Sequence, residues 1–245
     1  MRRRLDQALV ERGMAATRSR ARDLIMRGCV RVDGEIAGKA GREIGDAAVV
    51  EITEGALPYV SRGGLKLAAA LEAFDLSAAG RTAIDIGAST GGFTEALLQT
   101  GAAKVYAVDV GRGQLHASLR GDHRVVNLEG LDARRLTGAN IPEAVAAIVA
   151  DVSFISLTKV LPAALGLAAT NAWLVALIKP QFELEPAAIG KRGIVKDQAL
   201  HERAVGTVRE WIARQPGWRV LGIVPSPILG GSGNQEFLIG ARRDE

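Results

Sequence analysis

The 245-residue sequence has one cysteine, Cys29, so no disulfide can form within the chain. A chain without disulfides suits a reducing compartment, and we expect a cytoplasmic location. The sequence also lacks any apolar run of the roughly 18 to 20 residues that a bilayer-spanning helix needs. Its most apolar stretch, 172–178, has the length of a sheet strand, and acids interrupt the residues after the arginines at 2–4. Neither a membrane span nor a signal peptide is therefore predicted.

Histidine is scarce as well. The three histidines, His116, His123 and His201, are scattered along the chain and show no spacing typical of metal ligands. We therefore predict no metal site. We find no internal repeat and no low-complexity tract, and the 48% hydrophobic content is normal for a globular protein of one large domain or two unequal ones.

Positive charge is unevenly distributed. The chain has a net charge of +4, but residues 1–31 hold nine arginines, no lysine and three acids. Six net positive charges therefore lie in this segment, and the remainder of the chain is slightly acidic. Arginine is suited to bidentate phosphate contacts and to stacking on bases. A solvated basic face is the alternative interpretation, since charged helix faces are common.

The first 55 residues are predicted to form a unit of their own. The pattern predicts helices over 5–13 and 18–27 and strands around Val30 and 49–52. Thr17 can cap the second helix, Gly28 can end it in the left-handed conformation, and Asp33-Gly34 is typical of a hairpin turn. The inner face of the second helix is predicted to hold Ala21, Leu24 and Ile25.

As a whole, RLDQALVERGMAATRSRARDLIMRGCVRVDG followed by GDAAVVEI resembles the small RNA-binding domain named after ribosomal small-subunit protein four. The resemblance implies that the arginine-bearing second helix and the adjacent hairpin bind structured RNA. We predict RNA contacts at Arg4, Arg18, Arg20, Arg22, Arg27, Arg62, Lys191 and Arg192. The predicted domains are 1–55 for RNA binding, 56–62 for a linker stiffened by Pro58, and 63–245 for the second domain.

The second domain alternates apolar strand runs with helical stretches. After a helix over 63–74, strands are predicted near 83–87, 104–109, 124–128, 146–151, 172–179, 218–224 and 236–241. This alternation is typical of an α/β fold with a mainly parallel sheet covered on both faces. Only ILGGSGNQ separates the last two strands, which is too short for a parallel crossover, so the last strand is predicted to be antiparallel.

A glycine-rich loop follows the first strand of this sheet, in the stretch TAIDIGASTGGFTEALL at 82–98. Its glycines allow close approach to a ligand, and the helix after it directs N–H groups at the loop. Because no glycine lies two residues after Gly87, the spacing counts against a dinucleotide. Acids follow three successive strands, at Asp85, Asp109 and Asp132, which favours a nucleoside-type cofactor. Helix caps or turns are the alternative roles for these acids.

Four further polar residues are predicted to lie on the same rim. Asp151 and Lys179 end strands, Glu236 begins the antiparallel strand, and Lys66 lies in the helix before the sheet. Simpler roles are a helix cap for Asp151, an edge charge for Glu236 and a solvated lysine for Lys66. A simple structural role is less easily given to Lys179, because a lysine at the end of an apolar strand must extend its charge to solvent or pair with another group.

The segments SRGGLKL, DIGASTGGFT, DVSFIS, LIKPQFE and NQEF resemble the FtsJ-like ribose 2′-O-methyltransferases and carry their Lys-Asp-Lys-Glu tetrad. With the RNA-binding domain, VDVGRGQL and KRGIVKD, nearly the whole chain resembles the TlyA family of ribosomal RNA 2′-O-methyltransferases. The resemblance implies a Rossmann-like seven-stranded methyltransferase sheet. It also implies S-adenosylmethionine as cofactor and ribosomal RNA or ribosomal subunits as partner. The implied cofactor residues are Asp85, Gly87, Gly91, Gly92, Phe93, Thr94, Asp109, Val110 and Asp132.

A ribose hydroxyl is a poor nucleophile, so methyl transfer to it needs a base. We predict Lys179 as that base, with Asp151 orienting it and Glu236 holding Lys66 and the hydroxyl. Two other functions stay open. One is a membrane-acting haemolysin, a label that some TlyA proteins carry, which would need an amphipathic or spanning segment. The other is an RNA-binding protein with an inactive methyltransferase fold.

Overall fold

The computed structural model describes residues 2–15, 18–26, 28–53, 59–189, 193–230 and 233–244, without the side chains of residues 19, 20 and 23. The chain forms two compact units that divide between Gly64 and Leu65. In the described residues no helix is both long and apolar enough to span a membrane.

The N-terminal unit is a small α+β domain. Its elements are β1 Arg2–Arg4, α1 Leu5–Glu11, α2 Arg18–Met26, β2 Val30–Val32, β3 Glu35–Ile36, β4 Glu43–Gly45 and β5 Val50–Ile52. Strands β3, β2 and β5 form one antiparallel sheet. The core contains Leu5, Leu9, Ala21, Ile25 and Val30, all fully buried. Ala21 and Ile25 lie on the predicted inner face of α2, and Leu24 is partly buried against the same core.

Two predicted turns of this unit have the expected backbone. Gly28 has a φ of 70° after α2, and Asp33 and Gly34 have φ values of 52° and 82° between β2 and β3. Two successive positive φ values are the hairpin geometry that an Asp-Gly pair favours. Thr17, the predicted cap of α2, lies outside the described residues.

Strand β1 was not predicted. Three successive arginines have low strand propensity, but β1 pairs antiparallel with β4, and Arg4 lies opposite Glu43. Opposite charges across a strand pair stabilise it, and the partner is about forty residues away in sequence. Non-local pairing therefore determines the conformation of this segment.

The second unit alternates strands and helices as predicted. Its elements are α3 Gly63–Ala73, β6 Thr82–Ile86, α4 Gly92–Gln99, β7 Lys104–Asp109, α5 Ala117–Arg120, β8 Val125–Glu129, β9 Val145–Ala150, α6 Leu157–Gly166, β10 Ala168–Ile178, α7 Pro180–Glu183, α8 Gln198–Ala213, β11 Trp218–Pro225 and β12 Phe237–Arg243. Short 3-10 helices lie at Ala133–Arg135 and Pro186–Ala188.

These strands form one seven-stranded sheet in the order β11, β12, β10, β9, β6, β7, β8. The central pairs are parallel, whereas β12 is antiparallel to both β10 and β11. The predicted α/β fold with an antiparallel last strand is confirmed. Helices cover both faces of the sheet, because alternate strand residues such as Ile84 and Ile148 pack with α6 and α8 while their neighbours Ala83 and Val149 are also fully buried.

Candidate active site

A cavity of about 470 Å³ lies at the carboxyl ends of the parallel strands. This is the edge at which open α/β sheets bind ligands, and the volume suits a small-molecule cofactor. Four of the nine predicted cofactor residues line it, namely Gly87, Asp109, Val110 and Asp132. Asp85, Gly91, Gly92, Phe93 and Thr94 are described but are not among its lining residues.

Gly87 begins the cofactor loop at the end of β6. Its φ is 81°, and a Cβ there would lie 2.4 Å from the backbone oxygen of Asp151. Both the backbone conformation and the lack of space therefore require glycine. The loop continues through Ser89, with a φ of 48°, to Gly91 with a φ of 98° before α4 begins. The close approach at Gly87 is to the segment that follows β9, and approach of this loop to a ligand stays a prediction.

Asp109 is held in a defined orientation at the end of β7. Its Oδ2 accepts a hydrogen bond from the backbone N–H of Ser89 at 2.8 Å, and its Oδ1 accepts one from Gly111 at 2.7 Å. Each carboxylate oxygen can accept two hydrogen bonds, so both retain capacity toward the cavity. This arrangement suits a carboxylate that accepts the two hydroxyls of a ribose.

Asp132 caps a short helix and also lies in the cavity wall, and its contact with a cofactor stays a prediction. It caps the 3-10 helix by accepting from the backbone of Arg134 at 3.0 Å, and it also lines the cavity. The Arg134 side chain lies 2.6 Å from its Oδ2 and lowers the pKa of Asp132 to about 2. Asp132 is thus ionised at neutral pH and already paired with an arginine.

Asp85 is fully buried below the loop rather than exposed to the cavity. Its Oδ2 accepts a 2.6 Å hydrogen bond from the hydroxyl of Thr94, which is also fully buried, while its Oδ1 has no hydrogen-bond partner among the described residues. Burial raises the pKa of Asp85 to about 7, and the Thr94 hydrogen bond opposes that shift. The side chain is therefore placed to tie β6 to α4, where it supports the loop from beneath.

This raised pKa predicts an unusual pH dependence of stability. Between about pH 4 and pH 7 the unfolded chain releases the Asp85 proton while the folded chain keeps it, so the free energy of unfolding falls as pH rises. The Asp85→Asn side chain stays neutral. The free energy of unfolding of this variant should therefore rise relative to that of the wild type by up to about 1.4 kcal/mol per pH unit across this window. Urea unfolding at pH 5 and pH 8 measures the difference. Asp75→Asn is the control at an exposed site. If the free energy of unfolding changes equally with pH in the wild type and in Asp85→Asn, the raised pKa of Asp85 is contradicted.

The four predicted catalytic residues converge on neighbouring strand ends. Ile178 pairs with Phe237 in the antiparallel register, so the next residue of the chain, Lys179, lies beside Glu236. On the other side of β10, Ala176 pairs with Ala150, and Asp151 follows directly. The register therefore places Lys179 between the two acids.

The same four side chains form two ion pairs. Lys179 Nζ lies 2.6 Å from Oδ1 of Asp151, at an angle that does not make a hydrogen bond. Lys66 Nζ donates to Oε2 of Glu236 at 2.6 Å, and both residues are buried, with exposures of 8% and 3%. Two buried charges are tolerated only when paired, and here the two partners lie 170 residues apart in sequence.

Ser153 is a site residue that the sequence reasoning missed. Its hydroxyl accepts a hydrogen bond from Lys179 Nζ at 3.0 Å, and it lines the cavity together with Phe154. The signal was present in the motif DVSFIS, but one hydroxyl in a strand-end loop cannot be assigned a partner from sequence. Lys179 therefore contacts an acid and a hydroxyl from the same loop.

Three of the predicted RNA-contact arginines surround one buried carboxylate in the N-terminal unit. Arg4 Nε donates to Oδ1 of Asp6 at 3.0 Å, and Arg18 Nη2 and Arg22 Nε each donate to Oδ2 at 3.1 Å. Asp6 is fully buried, whereas each arginine side chain is about half exposed. Hydrogen bonds from Arg4 hold the pKa of Asp6 far below its usual range. The cluster has two net positive charges and further N–H donors that can bind an anion.

The other predicted RNA contacts are described less completely. Arg62 lies with its guanidinium against Gly38. Arg20 is part of α2, but its side chain is not described, and Arg27, Lys191 and Arg192 lie outside the described residues. In the described part of the chain no group of three or more His, Cys, Asp or Glu side chains could hold a metal ion. The absence of a metal from the reaction stays a prediction.

Comparison with known proteins matches both units to families. An S4 domain model matches residues 3–50, and an FtsJ-like methyltransferase model matches residues 59–243. A curated relative, "16S/23S rRNA (cytidine-2'-O)-methyltransferase TlyA" of Mycobacterium tuberculosis, is 48% identical over 240 residues, covering 98% of this chain and 89% of that protein. "Hemolysin A" of Brachyspira hyodysenteriae is 40% identical over 96% of this chain and 98% of its own length.

A solved structure, "Putative hemolysin from Streptococcus thermophilus", is 41% identical and superposes with a TM-score of 0.78. The match covers 100% of this chain and 89% of that one. The resemblance seen in the sequence motifs is confirmed by these matches. With the FtsJ-like match over most of the chain and the TlyA relative similar over nearly all of it, this chain belongs to the TlyA family of FtsJ-like methyltransferases.

Proposed function

We propose that this protein transfers a methyl group from S-adenosylmethionine to the 2′-hydroxyl of a cytidine in ribosomal RNA, with Lys179 as the base. The observation that carries the proposal is the position of Lys179. It lies between Asp151 and Glu236 at the strand ends, beside the cavity that Asp109 and Asp132 line. Ribosomal RNA as the substrate class is supported by the family and by the S4 domain, and the choice of cytidine follows the TlyA relative.

The cavity residues fit S-adenosylmethionine. Asp109, oriented by two backbone N–H groups, would accept the ribose hydroxyls, and the exposed Val110 beside it would contact the adenine. Asp132 would meet the adenine amino group, and Gly87 would leave room for the amino-acid part. When bound, the cofactor supplies an electrophilic methyl group on its sulfonium.

The chain's own residues then have to remove one proton, that of the 2′-hydroxyl, and hold the reacting groups in place. The Lys179 amine would take the proton of the 2′-hydroxyl as that oxygen accepts the methyl group, whose bond to the cofactor sulfur breaks at the same time. Asp151 and Ser153 fix the Lys179 amine in place and stabilise the ammonium that forms. The buried Lys66–Glu236 pair, on the other side of Lys179, orients the hydroxyl. No residue has to form a covalent intermediate.

The direct test is to map 2′-O-methylation across ribosomal RNA from cells with and without this gene. We expect at least one cytidine to lose its methyl group in the deletion strain, to regain it with the wild-type gene, and to stay unmodified with Lys179→Ala. A map that does not change on deletion would contradict the function. A site restored equally well by Lys179→Ala would leave the function standing and overturn the role of the lysine.

Two alternatives predict different results. An inactive methyltransferase fold would bind RNA yet restore no methyl group in this experiment. Membrane lysis rests on the hemolysin names of relatives, and leakage from liposomes that survives Lys179→Ala would favour it. A cytoplasmic location is part of the proposal, because ribosomal RNA is the substrate and the lone cysteine suits a reducing compartment.

A further inference from the structure

We propose that Glu183 is a positioning residue for the methyl-transfer reaction, which latches the segment carrying Lys179 to the segment carrying Asp151 and Ser153. This inference rests on the proposed function and adds to it a residue outside the tetrad. Glu183 belongs to the motif LIKPQFE, of which the sequence reasoning used only the lysine. Glu183 does not line the cavity, and the hydrogen bonds of its side chain go to Ser156 and Leu157, so its action is through other residues.

The contacts of Glu183 connect α7 to the start of α6. Its Oε2 accepts a hydrogen bond from the Ser156 hydroxyl at 2.6 Å, and its Oε1 accepts one from the backbone N–H of Leu157 at 2.9 Å. Ser156 is the N-cap of α6 and Leu157 its first residue. The carboxylate therefore binds a free N–H and the capping hydroxyl of that helix, which are favourable partners for a negative group.

The two segments joined in this way are the ones that build the site. Lys179 directly precedes α7, and its backbone oxygen accepts from Phe182 within that short helix. The other segment, residues 151–155, runs from Asp151 to the cap of α6, and all five of its residues line the cavity. One carboxylate thus fixes the far end of the cavity wall relative to the lysine.

This wall contains a strained residue that needs support. Phe154 has a φ of 67°, which is rare for a residue with a Cβ, and it is 90% exposed. Such a conformation persists only where the surrounding structure holds it. The ring of Phe154 packs on Phe182 of α7 at 5.0 Å between centroids, so α7 contacts the wall at its middle as well as at its end. The hydrogen bonds of Glu183 hold α7 and residues 151–155 in the relative position that these contacts need.

The chemistry of the latch favours a hydrogen-bonding role over a charge role. Burial raises the pKa of Glu183, while the Leu157 and Ser156 hydrogen bonds oppose the shift. A glutamine would preserve the geometry without charge. Its Oε1 accepts from Leu157, and its amide N–H donates to the Ser156 oxygen, which also accepts from Thr158. Alanine keeps neither bond.

The test compares Glu183→Ala and Glu183→Gln in the full-length protein. We measure the single-turnover rate of methyl transfer to ribosomal subunits, the affinity for S-adenosylhomocysteine without RNA, and the affinity for RNA. Glu183→Ala should slow transfer by about tenfold to a hundredfold and weaken cofactor binding several-fold, because misplaced reacting groups lose rate steeply. RNA affinity should be unchanged, and Glu183→Gln should stay within about threefold of the wild type.

Glu185→Ala is the matched control, since Glu185 is exposed, lies two residues away and makes no side-chain cap. A Glu183→Ala variant that transfers methyl groups at the wild-type rate would overturn the latch. An equal loss of transfer rate in the Glu183→Ala and Glu183→Gln variants would overturn it as well. If Glu183→Ala does not fold, Glu183→Asp replaces it and should be slow because its carboxylate is one methylene too short. A wild-type protein that binds S-adenosylhomocysteine but methylates no ribosomal RNA would instead contradict the proposed function.

Discussion

Lys179→Ala should reduce single-turnover methyl transfer to ribosomal RNA by at least about a hundredfold, which is within the range that general-base catalysis contributes. Removal of the side chain leaves Asp151 and Ser153 without their shared partner and leaves the 2′-hydroxyl without a base. Binding of S-adenosylhomocysteine and RNA should change little, because Asp109 and the N-terminal arginines are untouched. Calorimetry and quenched-flow methylation measure the two effects separately.

Lys179→Arg is the sharper variant of this experiment. Arginine keeps the charge that pairs with Asp151 but stays protonated at any accessible pH, so it can position a hydroxyl and cannot act as a base. If the lysine is the base, Lys179→Arg should be as slow as Lys179→Ala. An arginine variant with most of the wild-type rate would assign the lysine an electrostatic role and move the search for a base to Asp151 or solvent.

Arg18→Gln/Arg22→Gln should lower RNA affinity by at least about tenfold at moderate salt. Each arginine offers donors beyond the one that Asp6 uses. Each arginine–phosphate ion pair that is lost should reduce the slope of log K against log salt by about one, so the double variant should reduce it by about two. Binding titrations over a range of salt concentrations measure both. Arg42→Gln is the matched control, because it removes a charge from the same unit without contact to Asp6. Wild-type affinity and salt slope in the double variant would remove this cluster from the RNA-binding surface.

Asp6→Asn tests the same cluster with the opposite change of charge. A general electrostatic surface would bind RNA more tightly once an acid is removed. We expect weaker binding, because the carboxylate that aligns Arg4, Arg18 and Arg22 is lost and three guanidinium groups are left to repel one another. The melting temperature of Asp6→Asn should be measured together with that of Glu51→Gln, which replaces an exposed acid in β5. Tighter RNA binding by Asp6→Asn would contradict an organised cluster.

Most of the second unit could be predicted from the chain because its signals are local. Apolar runs of strand length, each followed by a loop with an acid or a lysine, mark strand ends, and parallel strands bring those ends to one edge. Asp109, Asp132, Asp151 and Lys179 are on that edge for this reason. The antiparallel last strand also followed from a local feature, the short connection before it.

Burial was harder to predict than position. Asp85 and Asp109 follow the same kind of strand pattern, yet Asp109 lines the cavity and Asp85 is fully buried with Thr94. Asp85 pairs with Ala107, so Asp109 lies on the same face of the sheet but two residues closer to the carboxyl end of its strand. Position along the strand therefore decides whether the carboxylate lines the cavity or supports the loop. A sequence pattern with an uncertainty of one or two residues cannot make that distinction.

The sequence by itself determined the two-domain organisation, the α/β class, the glycine loop and the residue types of the tetrad, since each depends on residues close together in the chain. Only the tertiary structure decided several other contacts. Three arginines gather on Asp6, β1 pairs with β4, and Glu183 contacts the start of α6, and each of these contacts joins distant segments. The contact of Lys66 with Glu236 was expected from the tetrad, but its burial is a result of the fold. A buried charge must find a partner wherever the fold supplies one, and the fold is a property of the whole chain.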